Sequence, residues 1–197
     1  MSFTSKVLDV EINEHIATVW LNRPDKLNAV DMHMWRDLPG AMQAAVADPA
    51  VRAVVLAGRG KSFCVGIDLM SMASMGANLN SAEGFVKQQG ITKTCQDAIT
   101  AVADCPVPVI AAVHSHCLGA GVDLITACDI RLASSDATFG VRETKIGIVA
   151  DVGTLQRLPA IVGAGHVAEL AYTGKDIAYQ LWKLGLLRDA DGSLHDF

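Results

Sequence analysis

Charge is scarce in this 197-residue chain. Asp, Glu, Lys and Arg together make up 19% of it, and no segment gathers Lys or Arg into a run. With a net charge of −5, it lacks the basic face that would draw nucleic acid or an anionic membrane as a general partner. Small anions need only two or three local donors and stay open. Cysteine is present but unpatterned. Cys64, Cys95, Cys105, Cys117 and Cys128 are odd in number, show no C-x-x-C spacing and sit in apolar stretches. That excludes a disulfide framework and reads as reduced thiols of an intracellular protein. The sequence also lacks an apolar signal core after Met1, a run long enough to span a bilayer, a peroxisomal address at Leu194-His195-Asp196-Phe197, an internal repeat and a low-complexity linker. A cytoplasmic chain is the expectation. What is abundant is apolar residue, 51% of the total, enough for the core of one domain.

The pattern of those apolar residues predicts an α/β protein. Val7–Ile12 and Ile16–Leu21 alternate as two strands about a turn at Asn13-Glu14. Asp31 is a candidate N-cap for a helix reaching about Ala47, with Pro39-Gly40 as an internal defect. Val51–Ala57 is a strand of the buried, parallel kind. Ser81–Asp104 reads as a long helix, Val109–Val113 as a strand, Leu118–Ala127 as a helix and Ile130–Ala133 as a short strand. Gly153–Val162 and His166–Tyr172 read as helices joined by Gly163-Ala164-Gly165. Strands alternating with helices imply crossover connections.

Three segments carry candidate chemistry. Gly66, in Ser62-Phe63-Cys64-Val65-Gly66-Ile67-Asp68-Leu69-Met70, lets backbone approach a ligand just after a buried strand; the plain alternative is a turn with Asp68 as a helix cap. Gly119-Ala120-Gly121 opens a helix whose first amides lack partners, which is what an oxyanion hole requires; alternatively the glycines serve close packing. The acids Asp123, Glu143 and Asp151 form the third set. Glu143 and Asp151 flank the apolar run Ile146–Ala150, and crowded, desolvated acids should hold raised pKa values suited to proton transfer. They could instead cap helices or pair with Arg142 or Lys145. Two other motifs fail. Gly58-Arg59-Gly60-Lys61-Ser62 would need glycine, not Val55, to complete a phosphate loop, and His114-Ser115-His116-Cys117 lacks the second ligand pair of a zinc site. No metal is expected.

In this order, Leu21-Asn22-Arg23-Pro24 with Asn28-Ala29, Ser62–Met70, Pro108–Val113, Gly119–Asp123, Ala127–Arg131, Phe139–Glu143 and Leu155–Pro159 resemble the crotonase, or enoyl-CoA hydratase/isomerase, family. The resemblance covers about Val7 to Lys175. It implies a crotonase (ClpP-like) fold of stacked β-β-α units, usually assembled as trimers or dimers of trimers, acting on an acyl-CoA thioester with no further cofactor. It implies an oxyanion hole made by the amides of Ile67 and Ala120. It also implies contacts to substrate or CoA from Gly66, Ile67, Asp68, Leu69, Met70 and Gly121.

The acids then sort the subfamilies. Hydratases of the family carry glutamates at the positions of Asp123 and Glu143 and a small residue where Asp151 stands. The trio Asp123, Glu143 and Asp151 looks instead like the Δ3,5-Δ2,4-dienoyl-CoA isomerases. By that resemblance Glu143 takes a proton at C2, Asp151 supplies one at the far end of the diene, and Asp123 orients or tunes them. An enoyl-CoA hydratase active in fatty-acid β-oxidation and a non-catalytic acyl-CoA-binding homologue are the other readings. Residues 176–197 align poorly with the family, so the expected division is a catalytic core at 1–175 and a divergent segment with a shortened helical end at 176–197.

Overall fold

The computed structural model describes residues 3–74, 81–178 and 188–189. Strands β1 (Leu8–Asn13) and β2 (Ile16–Leu21) form an antiparallel hairpin, and β2 leads through α1 (Met32–Ala45) to β3 (Ala53–Gly58). After β3 come α2 (Leu69–Ser74) and α3 (Ala82–Ala103), then β4 (Val109–Val113), β5 (His116–Leu118), α4 (Ala120–Ala127), β6 (Ile130–Ala133) and β7 (Thr138–Gly140). A 3-10 turn at Glu143–Ile146 precedes α5 (Thr154–Arg157), α6 (Pro159–Val162), α7 (Ala164–Thr173), β8 (Asp176–Ala178) and β9 (Arg188–Asp189).

Two sheets result. The larger runs β1-β2-β3-β4-β6-β9, parallel at every pairing from β2 onward; the smaller runs β5-β7-β8. An isolated parallel bridge between Cys64 and Cys117 extends the smaller sheet toward the segment after β3. The chain therefore repeats one move: a strand in the large sheet, a short partner in the small one, then a helix. The repeats after β3, β4 and β6 stack side by side, which is the β-β-α spiral expected. The expected boundary at 175/176 falls just before β8, which pairs with β7. The rest of the expectation for 176–197 lies outside the described residues, apart from β9.

Local chemistry explains the elements. β3 is central and apolar: Val54 and Leu56 on one face are fully buried, and Ala53 and Val55 on the other are half-buried. The Asp31 carboxylate accepts from the Met34 amide at 2.9 Å and caps α1; Ser81 Oγ accepts from the Gly84 amide at 3.1 Å and caps α3. Helix α1 runs through Pro39 because its buried face, Met34, Leu38, Ala41, Met42 and Ala45, continues on both sides. The stretch expected as one helix at Gly153–Val162 divides into α5 and α6, since Pro159 starts a new first turn. Ala164 and Gly165, expected in a joint, lie inside α7. No helix among the described residues is long and apolar enough to cross a membrane.

Candidate active site

Three backbone segments converge on one cavity of about 200 Å³, bordered by Gly66, Ile67, Gly119, Ala120, Asp123, Glu143 and Asp151. Their positions follow from the loop before α1. Asn28, fully buried, accepts from the Arg23 amide at 2.8 Å and donates to the carbonyls of Arg59 and Ser62 at 2.9 and 2.8 Å. That ties the loop to the end of β3. Val30 then pairs with the strand-like segment around Ile67, its amide donating to Gly66 O at 2.8 Å while its carbonyl accepts from the Asp68 amide at 2.9 Å. In such a ladder the intervening amide, that of Ile67, points the other way.

The second amide comes from α4. Gly119 takes φ +50° and ψ −116° ahead of the helix, and its amide donates to Gly140 O at 2.8 Å. Ala120 is the first helical residue, so its amide has no intrahelical acceptor. Among the described residues neither the Ile67 nor the Ala120 amide donates to a protein acceptor. Gly66, at φ +102°, and Gly119 make the approach possible. A Cβ on Gly66 would lie 3.2 Å from Leu118 O, and one on Gly119 would lie 3.7 Å from Gly66 Cα and 3.5 Å from Glu143 Oε1. Two unused donors beside one cavity can hold a developing oxyanion.

The acids differ in their surroundings. Asp123, in the first turn of α4, is 2% exposed. Its Oδ1 accepts from both the amide and the hydroxyl of Thr154, each at 2.7 Å. Burial raises its pKa to about 7, with the neighbouring charges of Glu143 and Asp151 adding to the rise and the Thr154 bonds opposing it. Glu143, 9% exposed, begins the 3-10 turn. Its Oε2 is buried without a hydrogen-bond partner. Burial pushes its pKa up, backbone amides of Glu143 and Arg142 act against this, and the Asp151 charge adds to it. Arg142, weighed as a partner for Glu143, instead bonds Asp176 of β8 through Nε at 2.7 Å. Asp151 departs from the expectation of an acid embedded in apolar residues, because its loop leaves it exposed at the cavity rim. Gln96 of α3 donates to its carbonyl at 2.8 Å.

A second cavity, of about 340 Å³, adjoins the first. Trp35, Ile67, Val149 and Asp151 border both, so Asp151 stands where they meet. The remaining residues implied by resemblance spread out. Leu69 borders the first cavity and Asp68 the second. Asp68 also accepts from the amides of Met70 and Ser71, at 3.2 and 3.1 Å, which makes it the cap of α2. Met70 is 81% exposed, and Gly121 packs against Cys64, where a Cβ would come within 3.0 Å of Cys64 O. Neither Met70 nor Gly121 borders either cavity. Trp35 and Thr154 were not singled out from the sequence. The apolar face of α1 announces Trp35 as core, and Thr154 follows Gly153 at a helix start, a local cap signal; their places beside the cavity and Asp123 depend on contacts remote in sequence.

Comparison with known proteins agrees with this geometry. The enoyl-CoA hydratase/isomerase family model matches residues 11–191. The peroxisomal Δ(3,5)-Δ(2,4)-dienoyl-CoA isomerase of Arabidopsis thaliana is 42% identical over 195 residues, covering 96% of this chain and 70% of that protein. The mitochondrial enzyme of the same name from Homo sapiens is 44% identical over 168 residues, covering 82% of this chain and 51% of that protein. This chain thus spans about half the length of its human relative. The crystal structure of an enoyl-CoA hydratase from Mycobacterium smegmatis superposes with a TM-score of 0.83 at 32% identity, covering 94% of this chain and 70% of that one. Fold, cavity and sequence agree: the chain belongs to the enoyl-CoA hydratase/isomerase family.

Proposed function

We propose that this chain is an acyl-CoA isomerase that converts a 3,5-dienoyl-CoA to the 2,4-dienoyl-CoA. The observation that carries the reading is the placement of Asp151 where the two cavities meet, with Glu143 bordering only the first. A long-range proton shift needs two groups separated along the acyl chain; addition of water does not. The thioester oxygen would sit against the amides of Ile67 and Ala120, which stabilise the enolate-like charge. Glu143, with a free buried oxygen, takes the proton from C2. The electron pair moves along the diene, and Asp151 delivers a proton at C6. The two acids then return to their starting states by proton exchange with solvent through the rim. Asp123 stands behind them as a tuning group. The names of the isomerases from Arabidopsis thaliana and Homo sapiens support the same reading.

The substrate carries its own activating group, so this chemistry calls for no cofactor. We further infer assembly into a trimer or hexamer. Five free cysteines suit a reducing compartment such as the cytoplasm, whereas those two relatives are named peroxisomal and mitochondrial.

Hydration of a 2-enoyl-CoA is the second reading, because buried Asp123 and Glu143 could together hold water. A spectrophotometric assay separates the two. Formation of the conjugated diene from 3,5-dienoyl-CoA, without hydration of 2-enoyl-CoA, is expected. Hydration alone would replace the isomerase with the hydratase. Binding of acyl-CoA without turnover of either would leave a non-catalytic homologue.

A further inference from the structure

Asp123 has an unusual tether. Both donors of Thr154, the amide and the hydroxyl, converge on the single oxygen Oδ1 at 2.7 Å, leaving Oδ2 as the oxygen Asp123 can present to the cavity. Thr154 is fully buried and opens α5, whose N-cap, Gly153, has no side chain to offer. The carboxylate of α4 therefore caps α5 from across the fold, 31 residues away in sequence. The other titratable groups bearing on Asp123 come from every side. Glu143 lies on the 3-10 turn and Asp151 on the loop before α5. The Asp123 charge in turn adds to the burial that keeps the nearby thiols of Cys64 after β3, Cys95 on α3 and Cys117 on β5 protonated. None of these is a cation. Apart from the two Thr154 donors, the groups acting on Asp123 push it toward its neutral form.

We propose that Thr154 is a positioning residue that fixes Asp123 through one oxygen and favours its charged form beside Glu143. It acts through Asp123 and does not touch substrate. A hydroxyl bond to the charged form of a buried acid favours that form, so the hydroxyl sets the pH at which the acid cluster carries its charge. The proposal rests on the isomerase reading for its catalytic meaning, but its physical content is independent of turnover.

The test is a carbon-13 NMR titration of the ligand-free full chain labelled at the Asp side-chain carboxyl, with the Asp123 signal assigned by its loss in Asp123→Asn. Thr154→Ala and Thr154→Ser both lose the methyl group and differ by the hydroxyl alone. The Asp123 midpoint is expected to rise by about one pH unit in Thr154→Ala, a tenfold change in proton affinity, and to stay at the parent value in Thr154→Ser. Thr154→Val, which preserves shape, takes the place of alanine should the smaller side chain unfold the chain. A midpoint unchanged in the alanine or valine variant overturns the proposal, as does an equal shift in the serine variant, which would assign the effect to packing. Parent protein inactive on 3,5-dienoyl-CoA would defeat the isomerase reading and leave the titration result standing.

Discussion

Two acid clusters flank Ile67 and are built on opposite principles. On one side Arg23 reaches Asp68 at 2.9 Å and Asp31 at 3.5 Å, and also donates to Ala29 O. The bond from Arg23 holds the Asp68 carboxyl below its ordinary range, assisted by the amides of Ser71 and Met70. On the other side Asp123 and Glu143 are also buried but have no ion pair among the described residues, and they titrate upward. The first cluster answers its acids with a shared cation as well as with amides. The second keeps its acids desolvated with no cation among the described residues, offset at Asp123 only by the two Thr154 bonds, a cost to stability that suits proton transfer near neutral pH. Under the proposed function, the contrast separates Arg23 and Asp68, which hold the loop and cap α2, from Asp123 and Glu143, which are left without such a cation for proton transfer.

The largest effect should come from the unpaired cluster, and in activity. Glu143→Gln keeps the shape but removes the base, so kcat is expected to fall on the order of a thousandfold, with a melting temperature equal to or above the parent's. A loss of stability with only a small loss of turnover would turn the comparison around. Next, Arg23→Met leaves Asp31 and Asp68 without their shared cation. Breaking a largely buried pair this way should cost roughly 2–3 kcal/mol in a denaturant titration. The third effect has the opposite sign. Asp123 has its pKa raised to about 7 in the fold, against ~3.9 unfolded. The folded state thus binds its proton more tightly, and stability from this group is full below about pH 4 and lost as pH rises toward 7. Asp123→Asn, whose amide oxygen can still accept from Thr154, is expected to gain on the order of 2 kcal/mol at pH 8 and nothing at pH 4. Smallest of all, Lys93→Ala removes the exposed pair with Asp97 on α3 and should change stability by less than about 0.5 kcal/mol.

The same contrast marks what could be read from sequence. The caps of α1 and α3, the buried strand β3 and the unpartnered start of α4 are local, and alternation, glycine and capping residues signal them directly. The three-residue strands β5, β7 and β8 are too short to show a period, and exist through pairings made after long excursions of the chain. The three acids of the site stood out as acids in apolar company. Their sorting did not: Asp151 lies at the rim because its loop is pinned from α3 by Gln96, while Asp123 is sealed under Thr154. Arg23 fell within a landmark of the family, yet its partners Asp31 and Asp68 are known only once Val30 pairs with Ile67.

The claim that Glu143 and Asp151 divide the reaction between two ends of the acyl chain is tested most directly by Asp151→Asn incubated with a 3,5-dienoyl-CoA in deuterated water. Binding and deuterium exchange at C2 should persist, because the amides of Ile67 and Ala120 and the Glu143 carboxylate are intact, while the 2,4-diene fails to form. Formation of the 2,4-diene at the parent rate by Asp151→Asn would contradict the division of labour and return both proton transfers to Glu143.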